Sequence, residues 1–142
     1  MSAANNKKDE GMKQLTSTGN KLPNEGDDVL VCNSNEAEFH QHPAFEKVTF
    51  CALAKGPDGM RGVVKSQKGH IEQRHYHSTR SELFVLSGKF KVTHPQTGKQ
   101  SILTNGWYYC LPAKCHHTVE CLEDGSFFVA IDGKPDYQPV KQ

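Results

Sequence analysis

Short apolar runs, separated by turn-forming residues, fill the chain from residue 29 onward. The runs are rich in β-branched and aromatic residues, and segments such as "GPDG" at 56–59 and "PQTG" at 95–98 are typical of turns. No stretch in this region keeps the 3.6-residue period of an amphipathic helix. The pattern therefore predicts an all-β sandwich or barrel, with strands at 29–32, 47–54, 62–65, 70–77, 82–86, 89–94, 99–104, 107–111, 116–122 and 126–131.

The first 26 residues differ in composition from the rest of the 142-residue chain. They contain no Val, Ile, Phe, Tyr or Trp, so they cannot bury enough apolar surface to offset the entropy lost on ordering. The sequence therefore predicts a flexible, polar N-terminal arm at 1–26 and a single domain at 27–142. Neither the arm nor any later stretch contains the apolar segment expected of a signal peptide or a transmembrane helix.

Charge and cysteine content argue against several function classes. The net charge is +1, so nucleic acid is not an expected partner. The five cysteines form an odd set without the spacing of a disulfide framework or a zinc knuckle. Reduced thiols in a cytoplasmic protein that does not bind membranes are the simplest interpretation.

The segment "GHIEQRHYHSTRSELFVLSG", from Gly69 to Gly88, places two histidines one residue apart on a predicted strand. In a helix His75 and His77 would point about 200° apart, whereas in a strand they share one face, roughly 6.6–6.8 Å apart along the chain. Two imidazoles side by side are costly unless a shared partner binds both. A metal ion is such a partner, and the alternative is a solvent-exposed polar strand face.

A second candidate segment is "GWYYCLPAKCHH", at 106–117, which ends in two adjacent histidines. Alternation along the strand that follows places His117 on an apolar face with Val119 and Cys121. The same alternation places His116 on the polar face. His117 is therefore the histidine that we expect to point inward.

Together the two segments resemble the two signatures of the cupin superfamily, in its single-domain, RmlC-like form. The first signature is a glycine, five residues, His-x-His, three or four residues, a glutamate and a later glycine, which correspond here to Gly69, His75, His77, Glu82 and Gly88. The second is a glycine, five residues, Pro-x-Gly, two residues and a histidine, which correspond to Gly106, Pro112, Lys114 and His117. The resemblance implies a double-stranded β-helix, a jelly-roll-like cupin barrel in which both segments hold one metal ion.

The metal ligands that the resemblance implies are His75, His77, Glu82 and His117. Lys114 departs from the second signature, because it stands at the usual glycine and the turn must tolerate strain or adopt another geometry. Glu82 follows His77 by one residue more than in the common arrangement, and a one-residue shift turns a strand side chain to the opposite face. Either the loop at 78–81 absorbs the shift and Glu82 remains a ligand, which we expect, or the site has three histidines.

A site of this kind leaves coordination positions open on a divalent metal ion, with Fe(II) favoured and Mn, Ni or Zn possible. An open position can bind a chelating small-molecule substrate or dioxygen, or act as a Lewis acid. The expected function is a metal-dependent enzyme acting on a small organic molecule, most simply an oxidoreductase of the non-haem iron dioxygenase type. The alternatives are a nucleotide-sugar isomerase or epimerase with a strand histidine as base, and a non-catalytic metal- or ligand-binding cupin. The resemblance also implies a homodimer.

The remaining histidines and apolar residues are expected to have structural roles. His40 and His42 form another His-x-His pair, in "EFHQH", but no glutamate and glycine follow at matching spacing, so we expect surface histidines. The apolar residues expected to form the barrel core are Phe84, Leu86, Phe90, Val92, Phe127 and Val129.

Overall fold

The computed structural model describes residues 20–141, and within this range the regular structure is almost entirely β-strand. The strands are β1 (His40–Gln41), β2 (Val48–Gly56), β3 (Gly59–Ser66), β4 (Ile71–Tyr76), β5 (Ser81–His94), β6 (Lys99–Leu103), β7 (Tyr108–Leu111), β8 (His117–Asp132) and β9 (Gln138–Pro139). The helical structure in the described range is a single 3-10 turn at Ser34–Glu36. The prediction of an all-β fold is confirmed.

All pairings between these strands are antiparallel. The sheet follows the order β1-β2-β3-β8-β4-β9, and β5 pairs with β6, β7 and β8. Because β8 pairs with three strands, β3, β4 and β5, the sheet curls around it. The result is the double-stranded β-helix that the cupin resemblance implies, with an interior that receives side chains from distant parts of the sequence.

The two longest strands, β5 and β8, bend where two glycines face each other. Gly88 has a φ of +81°, and a Cβ at this position would lie 2.5 Å from the Cα of Gly125. The pairing of β5 with β8 also shifts register between Val85 and Phe90. Register shifts of this kind change which side chains of a strand face inward. The predicted strands at 82–86 and 89–94 are therefore one bent strand, β5, and those at 116–122 and 126–131 are one bent strand, β8.

The core lies between the two halves of β5 and the strands that pair with them. Its buried residues are Val85, Phe90, Val92, Leu103, Tyr109, Leu111 and Cys121. Phe127 packs against this cluster, and Val129 is also buried, so these two core predictions and those for Phe90 and Val92 are confirmed. Burying an apolar side chain of this size stabilises the fold by about 1.5–3 kcal/mol.

Two core predictions are wrong. Phe84 and Leu86 are 42% and 40% exposed, whereas Val85 between them is 1% exposed. The inward positions of β5 are odd-numbered before the register shifts and even-numbered after them, as the buried Phe90 shows. If inward and outward positions are assumed to alternate without interruption from residue 82 to residue 94, Phe84 and Leu86 are assigned to the same face as Phe90, which is the wrong face.

The N-terminal part of the described chain also departs from the predictions. The predicted strand at 29–32 is wrong, because these residues form no strand in the structure, and Val29 and Val31 are 80% and 69% exposed. Residues 20–22 fall in the predicted mobile arm but bond to the end of β2, through Leu22 N–H to Lys55 O (2.7 Å) and Lys55 N–H to Asn20 O (2.9 Å). Backbone hydrogen bonds of this kind need no apolar side chains. The part of the arm prediction that covers residues 1–19 lies outside the described residues.

Two further observations concern the cysteines and the hydropathy of the helical structure. No disulfide joins the five cysteines, all of which lie in the described part of the chain. Within residues 20–141 no helix has the length and hydropathy needed to cross a bilayer.

Candidate metal centre

Three histidines from two strands meet inside the barrel. His75 in β4 is the direct cross-strand partner of His117 at the start of β8, and His77 lies just beyond the end of β4. One ring nitrogen of each histidine lies within 4.8 Å of the other two. His75 and His117 are 1% and 2% exposed, so the group sits in the interior rather than at the surface. We call these three residues the histidine triad.

Each histidine of the triad is held through Nδ1 by a backbone carbonyl. The Nδ1 atoms of His75, His77 and His117 lie 2.7, 2.6 and 3.1 Å from the carbonyl oxygens of Gln73, Asp136 and Cys115. A carbonyl oxygen can only accept a hydrogen bond, so each Nδ1 must carry the proton. In the neutral ring Nε2 then bears a lone pair, which is the form in which histidine binds a metal ion.

Burial keeps two of these rings neutral. Burial lowers the pKa of His75, and burial together with the neighbouring His75 lowers the pKa of His117 to about 4. At neutral pH both rings therefore present unprotonated Nε2 atoms toward the centre of the triad. Neutral imidazole is a common ligand for Zn, Cu, Fe and Ni, so the donor set of the triad can hold a metal ion.

The turn before β8 ties the two histidine segments together. Lys114, at the position of the expected glycine, has a φ of +64° and so adopts the strained left-handed conformation. Its N–H donates to the carbonyl oxygen of His77 (2.7 Å). The next residues alternate as predicted, because His117 points inward while His116 accepts a hydrogen bond from Arg74 Nε (3.1 Å) and stacks on Tyr76 outside the barrel.

Glu82 is the one predicted ligand that the structure does not bring to the triad. It lies in β5 opposite Cys110 of β7, and its carboxylate accepts a hydrogen bond from the hydroxyl of Tyr108. The inward position of β5 is taken by Ser81, which is 3% exposed and lines the cavity beside the histidines. The loop at 78–81 does not absorb the extra residue, so Glu82 faces the other side of the strand.

Glu72 is the carboxylate that lies nearest to the triad among the described residues; the sequence suggests it as a hydrogen-bond acceptor for a ligating histidine but does not predict its place beside the triad. Its Oε1 is 3.8 Å from His75 Nε2, and its Oε2 is 3.5 Å from Nε2 of the buried His70. Burial alone would raise the pKa of Glu72, but the contact with His70 and the neighbouring imidazoles outweigh it and hold the pKa below its ordinary value. Strict alternation would place positions 72 and 75 on opposite faces, and a register shift between them turns both inward.

The triad and Glu72 stand in the wall of a cavity of about 460 Å³. Its other walls are mainly apolar and include Phe50, Ala52, Met60, Val64, Leu83, Phe127, Val129 and Ile131. Tyr137, from the segment after β8, stacks on His75 with the ring centroids 4.4 Å apart. His42, expected at the surface, also lines this cavity, where it stacks on Phe45 at 4.5 Å.

Comparison with known proteins agrees with this architecture. The family described as the ChrR Cupin-like domain matches residues 27–134. A curated relative, the DNA damage-repair/toleration protein DRT102 of Arabidopsis thaliana, is 32% identical over 108 residues, which make up 76% of this chain and 34% of that protein. The chain therefore spans about a third of the length of this relative.

Solved structures with the same fold are more distant in sequence. The polyketide cyclase RemF from Streptomyces resistomycificus superposes with a TM-score of 0.70 at 14% identity, over 81% of this chain and 87% of that one. An RmlC-like cupin from Shewanella frigidimarina superposes with a TM-score of 0.65 at 18% identity, over 75% and 93%. These likenesses establish the fold alone. By sequence family and by fold, the chain is a member of the cupin superfamily, in the family of ChrR Cupin-like domains.

Proposed function

We propose that this cupin is a metal-dependent enzyme that acts on a small, largely apolar organic molecule, as an oxidoreductase of the non-haem iron dioxygenase type. One observation carries the proposal: ring nitrogens of three histidines converge in the wall of a partly open, mainly apolar cavity of about 460 Å³. Such a cavity has the size and character of a small-molecule site. A divalent ion held by three imidazoles keeps open positions, at which it can bind a chelating substrate and dioxygen or act as a Lewis acid.

The residues of the chain contribute binding, orientation and the exclusion of water. The carbonyls of Gln73, Asp136 and Cys115 accept hydrogen bonds from the imidazole rings and so hold the rings in the orientation and tautomer that an ion needs. The apolar walls favour an apolar substrate body and keep water from the reacting groups. Tyr137 and Phe45, whose rings pack edge to face at 5.7 Å, border the cavity on the triad side and provide flat surfaces for an aromatic or conjugated substrate.

The composition of the cavity argues against the nucleotide-sugar alternative. Among the described residues that line it, Lys55 is the only lysine or arginine. A nucleoside diphosphate carries several negative charges and needs more cationic or backbone N–H partners than one lysine provides. The carboxylate of Glu72 would also repel an anion near the triad.

The first experiment is elemental analysis of the purified, untagged protein, followed by anaerobic reconstitution with Fe(II) and measurement of oxygen uptake. His77→Ala removes a triad nitrogen, and His116→Ala is the matched control, because His116 points outside the barrel. We expect about one metal ion per chain in the native protein and the control, and a large loss in His77→Ala. Absence of metal uptake under reconstitution in the native protein would overturn the proposal.

The substrate panel separates oxidative from non-oxidative chemistry. Apolar 1,3-diketones, catechols and thiols test for oxygen uptake by the iron-loaded protein. A linear polyketone belongs in the panel as well, because a fold neighbour is a polyketide cyclase and the apolar cavity suits such a molecule. Product formation without oxygen uptake would replace the dioxygenase proposal with a metal-assisted, non-oxidative reaction.

A further inference from the structure

Two carboxylate residues line the cavity within the described part of the chain, and Asp136 is bonded through its carboxylate to Ser78, whereas Glu72 is one that an enzyme built only on three histidines would not need. Glu72 lines the cavity with the triad, and its side chain is 21% exposed. The basic groups within 4.0 Å of its carboxylate, among the described residues, are the imidazoles of His70 and His75, and neither a lysine nor an arginine is among them. A carboxylate placed in mainly apolar surroundings without a fixed cation is costly.

The same region lacks a carboxylate where the cupin signature has one. The common form of the first signature has three residues between the second histidine and the glutamate, which puts the glutamate at position 81 in this chain. Ser81 lines the cavity, is 3% exposed, and its Oγ has no hydrogen-bond partner among the described residues. The glutamate at position 82 is bonded to Tyr108 on the other face of β5. The motif strand therefore presents no acidic group to the triad.

We infer that Glu72 supplies the carboxylate ligand of the metal centre, from the strand that carries His75 rather than from the motif position at Ser81. This inference rests on the proposed metal-dependent function. The register shift between Glu72 and His75 turns both side chains of β4 toward the same point. The 3.8 Å between Glu72 Oε1 and His75 Nε2 suits two ligands of one ion, because donors bound at about 2.1 Å stand roughly 3–4 Å apart. Glu72 lies outside the group of donor atoms within 4.8 Å of one another, so binding the ion requires its side chain to move toward the other histidines.

The neighbours of Glu72 fit this role. His70 Nε2 lies 3.5 Å from Oε2 without a hydrogen bond to it, and Oε1 is the oxygen that lies near His75. His70 is itself 7% exposed and packs edge to face on Phe45 at 4.9 Å, which fixes its ring. A divalent ion at the centre would offset the negative charge of Glu72 and the three Nε2 lone pairs together. Glu72 is then the ligand, and His70 is its neighbour on the side away from His75.

The test compares Glu72→Gln with Glu82→Gln, which makes the same chemical change outside the cavity. Cobalt(II) is the probe, because its affinity and its visible absorption spectrum can both be measured without substrate. His77→Ala reports whether the triad binds the ion at all. Circular dichroism and thermal unfolding of each variant establish that it is folded.

We expect Glu72→Gln to lower cobalt affinity by more than about 100-fold, beyond the roughly 10–100-fold effect of losing a residue that only orients a ligand, and to change the spectrum. Glu82→Gln is expected to leave both unchanged. The inference is overturned if Glu72→Gln keeps the native spectrum, whether or not affinity falls, because the carboxylate then acts only through His75. That outcome leaves the proposed function intact, whereas failure of the native protein to bind cobalt would overturn the function itself.

Discussion

Two His-x-His pairs occur in this chain, and the structure uses them differently. His75 and His77 donate through Nδ1 to backbone carbonyls, so their Nε2 lone pairs face the cavity. In the other pair, His40 packs on Phe50, and Nδ1 of His42 accepts a hydrogen bond from the N–H of Ala44 (3.0 Å). An accepting Nδ1 places the proton of the neutral His42 ring on Nε2, which is the reverse of the triad.

This difference shows that residue spacing alone does not make a metal site. Both pairs have the same spacing, and His42 even lines the same cavity. Only the pair at 75 and 77 has a third histidine opposite it across the sheet and carbonyl partners that free all three Nε2 atoms. The chemistry of the site therefore depends on backbone groups that no residue pattern displays.

We expect the largest difference between the two His-x-His pairs in metal content, when each pair is replaced in turn by alanine. The double variant His75→Ala/His77→Ala removes two of the three converging nitrogens, so we expect metal content to fall from about one ion per chain to background. The variant His40→Ala/His42→Ala is expected to retain the native metal content, as measured by elemental analysis after dialysis. Equal loss of metal in both double variants would contradict the assignment of the site to the triad.

The same contrast explains how much the sequence could predict. The barrel, the pair His75/His77 and the inward position of His117 follow from strand alternation and signature spacing. No register shift separates His75 from His77, or His117 from Val119 and Cys121, whose alternation places His117 inward. Glu82, Phe84 and Leu86 share one error, because all three were assigned to the inner face of β5, whose inward positions before Phe90 are the odd-numbered ones. The place of Glu72 in the cavity is not predicted for a related reason, since the register shift before His75 cannot be seen in the sequence.

The pH dependence of stability is expected to show the second-largest contrast, in the metal-free protein. Burial and the neighbouring His75 lower the pKa of His117 from 6.5 to about 4 in the folded state. Between these pH values the unfolded chain binds more protons than the folded chain. The contribution of His117 to the free energy of unfolding is therefore complete above pH 6.5, and the free energy decreases by up to about 3 kcal/mol as the pH falls toward 4.

Urea unfolding with a chelator present, at neutral pH and at a pH inside this window, measures the decrease. His117→Asn removes the titrating ring and is expected to flatten the pH dependence, while His40→Gln is expected to leave it as in the native protein. A native slope in His117→Asn would show that other groups cause the acid sensitivity.

A smaller effect is expected from loosening the backbone partner of His77. The carbonyl of Asp136 accepts the His77 Nδ1 hydrogen bond, and the carboxylate of Asp136 accepts hydrogen bonds from the N–H (2.8 Å) and the hydroxyl of Ser78. Asp136→Ala removes this anchor, so we expect metal affinity to fall by roughly 10-fold, as for other residues that orient a metal-bound histidine. Asp132→Ala, which breaks only the ion pair with Arg80, is the control, and an equal loss in both variants would contradict the anchoring role.

The last and smallest expected difference between the two His-x-His pairs is the ring nitrogen that carries the proton. In the metal-free protein at mildly alkaline pH, we expect nitrogen-15 spectra of the histidine rings to show His75 and His117 protonated at Nδ1 and His42 protonated at Nε2. Added zinc should move the Nε2 resonances of the triad and leave those of His42 in place, because its Nε2 has no lone pair to offer. A Nδ1-protonated His42, or a zinc-induced shift at its Nε2, would mean that the hydrogen bond from Ala44 does not set its tautomer. The distinction between the two pairs would then rest on the third histidine alone.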